Sequence, residues 1–266
     1  MDPAGSRLPK LVNPNRVGNS LLWLMCCLLL SSLLLVVFAL DDWLQGTGLS
    51  GRPEFLDLLP LADFPWIAAV VGFAGLAGVW GLAYPQGPDP TGSVRRDLRL
   101  MALGLAIWSC MLLAQGILIR VGPIASSSNP LWPGLSLVAD VGAAVGLVGL
   151  RGTMLTIGLR SREYRNARGA RQGLTAMVAA VCAHAVGRLL QFGDAAFNGG
   201  LPISPGFSQV LVSVSMLMLV IGLAYLVVNA WWIRSSLRKP PQPLEELLMI
   251  SEPIGEKPSA GKGLKA

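Results

Sequence analysis

Charge is scarce in this chain. Only 14% of its 266 residues are Asp, Glu, Lys or Arg, where a soluble domain carries about 25%. With 53% hydrophobic residues and a mean hydropathy of +0.57, that scarcity excludes an ordinary soluble fold and puts the chain in the membrane class. Histidine is scarcer still, occurring once, as His184. A haem held by two histidines of one chain is therefore excluded. No His/Cys/Glu cluster has metal-ligand spacing, so no metal or cofactor is expected. The four cysteines, Cys26, Cys27, Cys110 and Cys182, all lie in apolar runs and form no CxxC pair. That pattern speaks against a disulfide framework and a zinc site and reads as small apolar packing residues.

What the chain does have is long apolar runs. A hydrocarbon core needs about 20 apolar residues in a helix. Six runs qualify: Leu21–Leu40, Pro65–Tyr84, Leu100–Leu118, Leu131–Leu150, Gly173–Phe192 and Gln209–Ile233. The fourth could run on to about Leu159. The first is long for a signal peptide, and no small-residue cleavage site follows it, so it is expected to be a retained span. Asp41 and Asp42 are expected to end it in water.

The net charge of +6 and a pI near 9.5 could suit a nucleic-acid binder, but the basic residues cluster between the apolar runs. Arg7, Lys10 and Arg16 precede the first. Arg95, Arg96 and Arg99 sit between the second and third. Arg160, Arg162, Arg165, Arg168 and Arg171 sit between the fourth and fifth, and Arg234, Arg238, Lys239, Lys257, Lys262 and Lys265 follow the sixth. The alternate connections hold only Arg52, among five acids, and Arg120 at a boundary. By the positive-inside rule both termini are cytoplasmic, and six spans satisfy the even number this requires. The expected fold is all-α: an integral membrane six-helix bundle. Its parts are a cytoplasmic N-terminal segment (1–20), a six-pass domain (21–233) and a cytoplasmic tail (234–266) rich in Pro, Gly, Lys and Glu that is expected to be disordered. A bacterial inner membrane is the expected location and no nucleic-acid partner is expected. Membrane lipids are expected partners, and partner subunits are allowed for. Trp43, Trp66 and Trp132 suit an interfacial belt. Residues Phe55 to Leu61 suit a short surface helix.

Helices in lipid associate through small residues and polar links. The second span offers Gly72, Gly75, Gly78 and Gly81, the fourth Gly142, Gly146, Gly149 and Gly152, and the fifth Ala179, Ala183 and Gly187.

The fifth run also carries His184, Arg188 and Gln191 at i, i+4 and i+7, one side of a helix. An uncompensated charge near the bilayer centre costs about 2.5 kcal/mol or more. Arg188 is therefore expected to meet an acid: Asp140 of the fourth run, or Asp194, or else to reach outward to the interface. Gln115 and Arg120 of the third run, and Gln209, Ser213 and Ser215 of the sixth, belong to the same outer half. Together these residues predict a polar cluster, either a ligand site or a hydrogen-bond network that only fixes packing. A Ser–His hydrolase would need Ser136 or Ser213 beside His184, but the stretch GLSL lacks the second glycine of a rhomboid-like GxSG. Asp140 and Asp194 lack the full GxGD of intramembrane aspartyl proteases. No prolines break the spans, which weakens a transporter reading. The five arginines Arg160 to Arg171 could touch anionic lipid. The expected function is a non-catalytic membrane component or scaffold with a buried polar cluster. A small-solute carrier is the alternative, and an intramembrane hydrolase comes third.

Overall fold

A computed structural model describes residues 13–47, 59–83, 93–121, 131–160, 164–196 and 205–238. Among these there is no strand. Six helices follow one another: α1 (Pro14–Thr47), α2 (Phe64–Ala83), α3 (Ser93–Val121), α4 (Leu131–Arg160), α5 (Tyr164–Ala196) and α6 (Pro205–Arg238). A single 3-10 turn, Leu61–Asp63, leads into α2. Each helix contains a stretch long and apolar enough to cross a membrane. Proline opens several of them, as Pro14, Pro65, Pro133 and Pro205. In the first turn a proline's missing N–H has no partner to lose.

The helices form a closed, antiparallel ring. Each packs on its neighbours in sequence, and α6 packs back on α1. The register shows in the cross-helix contacts. Ser31 Oγ donates to the Ala68 carbonyl at 3.0 Å and Trp23 Nε1 to the Ala74 carbonyl at 2.9 Å, running α1 against α2. Arg234 Nε donates to Asn19 Oδ1 at 2.7 Å, closing α6 onto the start of α1. One face of the ring carries Pro14, Ala83, Ser93, Arg160, Tyr164 and Arg238, and is called the terminal face below. The other is the hairpin face. There Arg120 Nη2 lies 2.6 Å from Asp63 Oδ1, and its guanidinium lies 5.8 Å over the Trp66 ring, so the end of α3 is tied to the start of α2.

Close approach is sharpest between α3 and α4. A Cβ on Gly142 would stand 2.9 Å from the Gly104 carbonyl oxygen and 2.9 Å from Trp108 N. Only hydrogen fits there, and the backbones come together as small residues permit in lipid. Inside the ring lies an apolar core that includes Leu21, Leu24, Met25, Leu150, Met154 and Leu226. The outside is apolar as well: Trp80, Val141, Leu189, Val210, Met218 and Ile221 are more than half exposed. A continuous apolar exterior of this kind suits lipid, not water.

Most helices outrun the apolar runs expected from the sequence: α1 begins at Pro14 rather than Leu21 and α3 at Ser93 rather than Leu100. Helix α1 does not stop at Asp41 but continues to Thr47, and Asp41 is 5% exposed because it lies on the bundle side of the helix. The arginine-rich connection is mostly helix. Arg160 ends α4, and Arg165, Arg168 and Arg171 lie within the first turns of α5. Hydropathy finds only the lipid-facing part of a helix, while Arg and Ala favour helix in water too. Arg162, the C-terminal tail beyond Arg238 and most of the stretch from Phe55 to Leu61 lie outside the described residues.

Candidate functional site

The polar residues of the third, fourth and fifth helices separate into distinct links. Asp140 projects from α4 and His184 from its neighbour α5. His184 Nδ1 lies 2.9 Å from Asp140 Oδ1 and 2.8 Å from Oδ2. Both residues are buried, at 7% exposure for His184 and 9% for Asp140. His184 falls at the middle of the apolar stretch Leu174–Asp194. A carboxylate astride Nδ1 fixes the orientation of the ring. The opposite nitrogen, Nε2, is buried and has no hydrogen-bond partner among the described residues. In the neutral ring protonated at Nδ1 that nitrogen accepts a hydrogen bond, and in the imidazolium it donates one.

The expected pairing of Arg188 with Asp140 is corrected: the partner of Asp140 is His184. Asp140 stands level with His184, one turn deeper than Arg188. Arg188 Nη1 instead donates to Gln191 Oε1 at 2.9 Å, leading its charge toward the hairpin face. Gln115 and Ser136 form a second link, Nε2 to Oγ at 2.9 Å, between α3 and α4. Ser136 and Asp140 are four residues apart on one face of α4, so the two links stack on that helix. Arg120 is not part of this group; it belongs to the rim with Asp63 and Trp66. Asp194 lies ten residues beyond His184, or about 15 Å along the helix, too far to form a carboxylate pair with Asp140.

Nothing in the residue pattern indicates what His184 and Asp140 border. They line a cavity of about 130 Å³ inside the ring, walled by α1, α3, α4, α5 and α6. Apart from the pair and Ser32, the wall is apolar, with Leu105, Trp108, Leu147, Met177, Val181 and Leu219 among its residues. No Lys or Arg is among the lining residues. Toward the terminal face the wall is closed by the buried Leu24, Met101, Leu150 and Leu223. Nearer the hairpin face the cavity is lined by Ser32, Leu35 and Val36 of α1 and Met216 and Val220 of α6, all half-buried.

Geometry explains why a void exists. Packed helix axes lie about 8–10 Å apart. In a six-membered ring the centre is equally far from each axis, while a helix with side chains has a radius of only about 5–6 Å. A gap of roughly 3 Å in radius remains unless long side chains fill it. Gly104, Gly142, Ala143 and Gly146 leave it unfilled on the α3–α4 side.

The arrangement offers a hydrogen bond in an apolar chamber and little covalent chemistry. No serine lies within hydrogen-bond reach of His184 Nε2, and Ser136 Oγ is engaged by Gln115. Among the described residues no three His, Cys, Asp or Glu converge as metal ligands. The fold and site thus define an all-helical protein with six membrane-length helices ringed around an apolar cavity. No family model, curated protein or solved structure matches the chain.

Proposed function

We propose that this protein is a non-catalytic membrane component that holds a lipophilic molecule inside its helix ring. The observation that carries the reading is the apolar cavity bordered by the buried His184–Asp140 pair. A largely apolar chamber with a few convergent polar groups is the usual form of a small-molecule site. The same walls offer a polar solute too few hydrogen bonds to replace its water, which favours an apolar guest over a carrier for small polar solutes. In this reading the chain sits in a bacterial cytoplasmic membrane, and the arginine distribution supports an orientation with both termini inside. It works alone or as a subunit of a larger membrane complex.

Native mass spectrometry of the full chain, extracted gently from its own membrane, tests the proposal. The expected result is a retained lipophilic mass that is displaced when the cavity is filled by Ala143→Phe. Protein with no bound mass before any delipidation counts against it. Co-purifying polypeptides would identify the complex.

A further inference from the structure

We infer that the guest is a compact, uncharged, hydrocarbon-like molecule the size of a single six-membered ring; this rests on the cavity being a lipophile site. Size sets the first limit. The cavity measures about 130 Å³. An apolar cavity of about 150 Å³ lined by Leu, Ile and Phe stays dry and takes benzene or xenon. A guest on that scale fills the space, whereas an extended lipid chain or a fused-ring body exceeds it.

Polarity sets the second limit. Asp140 and His184 border the space but spend their hydrogen bonds on each other. The two carboxylate oxygens lie 2.9 and 2.8 Å from Nδ1, and Nε2 is sealed within the protein. No Lys or Arg lines the cavity to receive an anion. A cation would have to draw the carboxylate off the histidine. A hydroxyl or amide guest would give up its hydrogen bonds to water with little in return. The wall therefore recognises a guest by shape and apolar surface.

The wall is also built to keep its space open and to adjust to what enters. On the α3–α4 side, Gly104, Gly142 and Gly146 leave it bare of side chains. A Cβ on Gly142 would stand 2.9 Å from the Gly104 carbonyl oxygen, so these helices are already in backbone contact and the void cannot shrink by their closer approach. Opposite this fixed floor the lining is soft. Met101 of α3, Met177 of α5 and Met216 of α6 come from three helices, with the indole of Trp108 among them. Unbranched thioethers shift to fit a small guest, and sulfur makes favourable contacts with the edge of an aromatic ring.

The test uses the delipidated full chain in phospholipid nanodiscs, its methionine methyl groups labelled with carbon-13 and assigned by single substitutions to leucine. Toluene is the probe. Its ring current is expected to shift the methyl signals of Met101, Met177 and Met216 along saturable curves. Met218 faces outward at 61% exposure and should change only in proportion to the toluene dissolved in the bilayer. Benzene and cyclohexane should both compete, and the better competitor tells a flat aromatic guest from a saturated one. Anthracene and hexadecane should not compete. Phenol should bind at least about fivefold more weakly than toluene, each corrected for its partition into the nanodisc, because its hydroxyl finds no partner. Ala143→Leu fills the space and should weaken toluene binding at least about tenfold; the methyl shifts of the wild type decide the matter alone if that variant does not fold. The proposal is overturned if Met101, Met177 and Met216 respond no more than Met218, or if phenol or hexadecane binds as well as toluene. Folded Ala143→Leu binding toluene like the wild type would overturn it too. If the cavity takes no toluene but native mass spectra retain a larger lipophile that Ala143→Phe displaces, the size assignment falls while the lipophile reading stands. If it retains nothing and takes no toluene, both fall.

Discussion

Replacing Asp140 by leucine should expose which basic group depends on it. The carboxylate spans His184 Nδ1 at 2.8 and 2.9 Å, in a place where neither side chain reaches water. Asp140→Leu removes that acceptor and leaves one further buried polar atom on the histidine. Such an atom costs about 1–3 kcal/mol when unsatisfied, and membrane proteins fall toward the lower end because the unfolded chain in lipid finds other partners. The expected destabilisation is about 1–2 kcal/mol. His184→Leu removes the donor instead, and the double variant removes both. Since neither orphan then remains, the double variant should recover most of the loss, with a coupling of about 1 kcal/mol. The companion cycle pairs Asp140→Leu with Arg188→Leu. Arg188 gives its hydrogen bond to Gln191, so its effect should add to that of Asp140→Leu within about 0.5 kcal/mol. Reversible unfolding in mixed micelles measures the wild type and all five variants under one condition. A coupling between Asp140 and Arg188 as large as that between Asp140 and His184 would refute the register of α4 on α5 described above.

Three further outcomes are expected. Gly142→Val should destabilise by about 1–3 kcal/mol, because its Cβ alone would stand 2.9 Å from the Gly104 carbonyl. Gly146→Ala, whose nearest neighbour is at 3.7 Å, should be close to neutral in the same unfolding assay. Arg120→Ala should lose no more than about 1 kcal/mol, since its pair with Asp63 is largely exposed; a larger loss by thermal unfolding would mean the rim is part of the core. In a cysteine-free background, a cysteine placed at Ser126 should react with an impermeant maleimide on intact cells and one placed at Ser161 only after permeabilisation. The reverse pattern would invert the proposed topology.

The six helices were legible because lipid leaves the backbone little choice. Each span must satisfy its own peptide groups, so apolar length and helix coincide. What hydropathy could not see was helix outside the lipid, as in the arginine-bearing first turns of α5. It also misjudged Asp41, because a carboxylate on the inner side of a helix can continue it as readily as one in water can end it. The candidate site was legible as a set of polar residues in one half of the bundle, but not as partners. Choosing between His184 and Arg188 for Asp140 is a choice of one helical turn, about 5.4 Å of sliding between α4 and α5. That sliding is set by contacts elsewhere: Gly142 seated on Gly104 positions α4 against α3, and Gly187 against Val212 positions α5 against α6. The cavity was not legible at all. Its walls are Leu, Met, Val and Gly, the same residues that fill the closed part of the core. Whether such residues meet or stand apart depends on how many helices share the ring and on α6 returning to α1. Closure therefore links the fold to the candidate site: it creates the central space, and the register of α4 and α5 sets one polar pair in its wall.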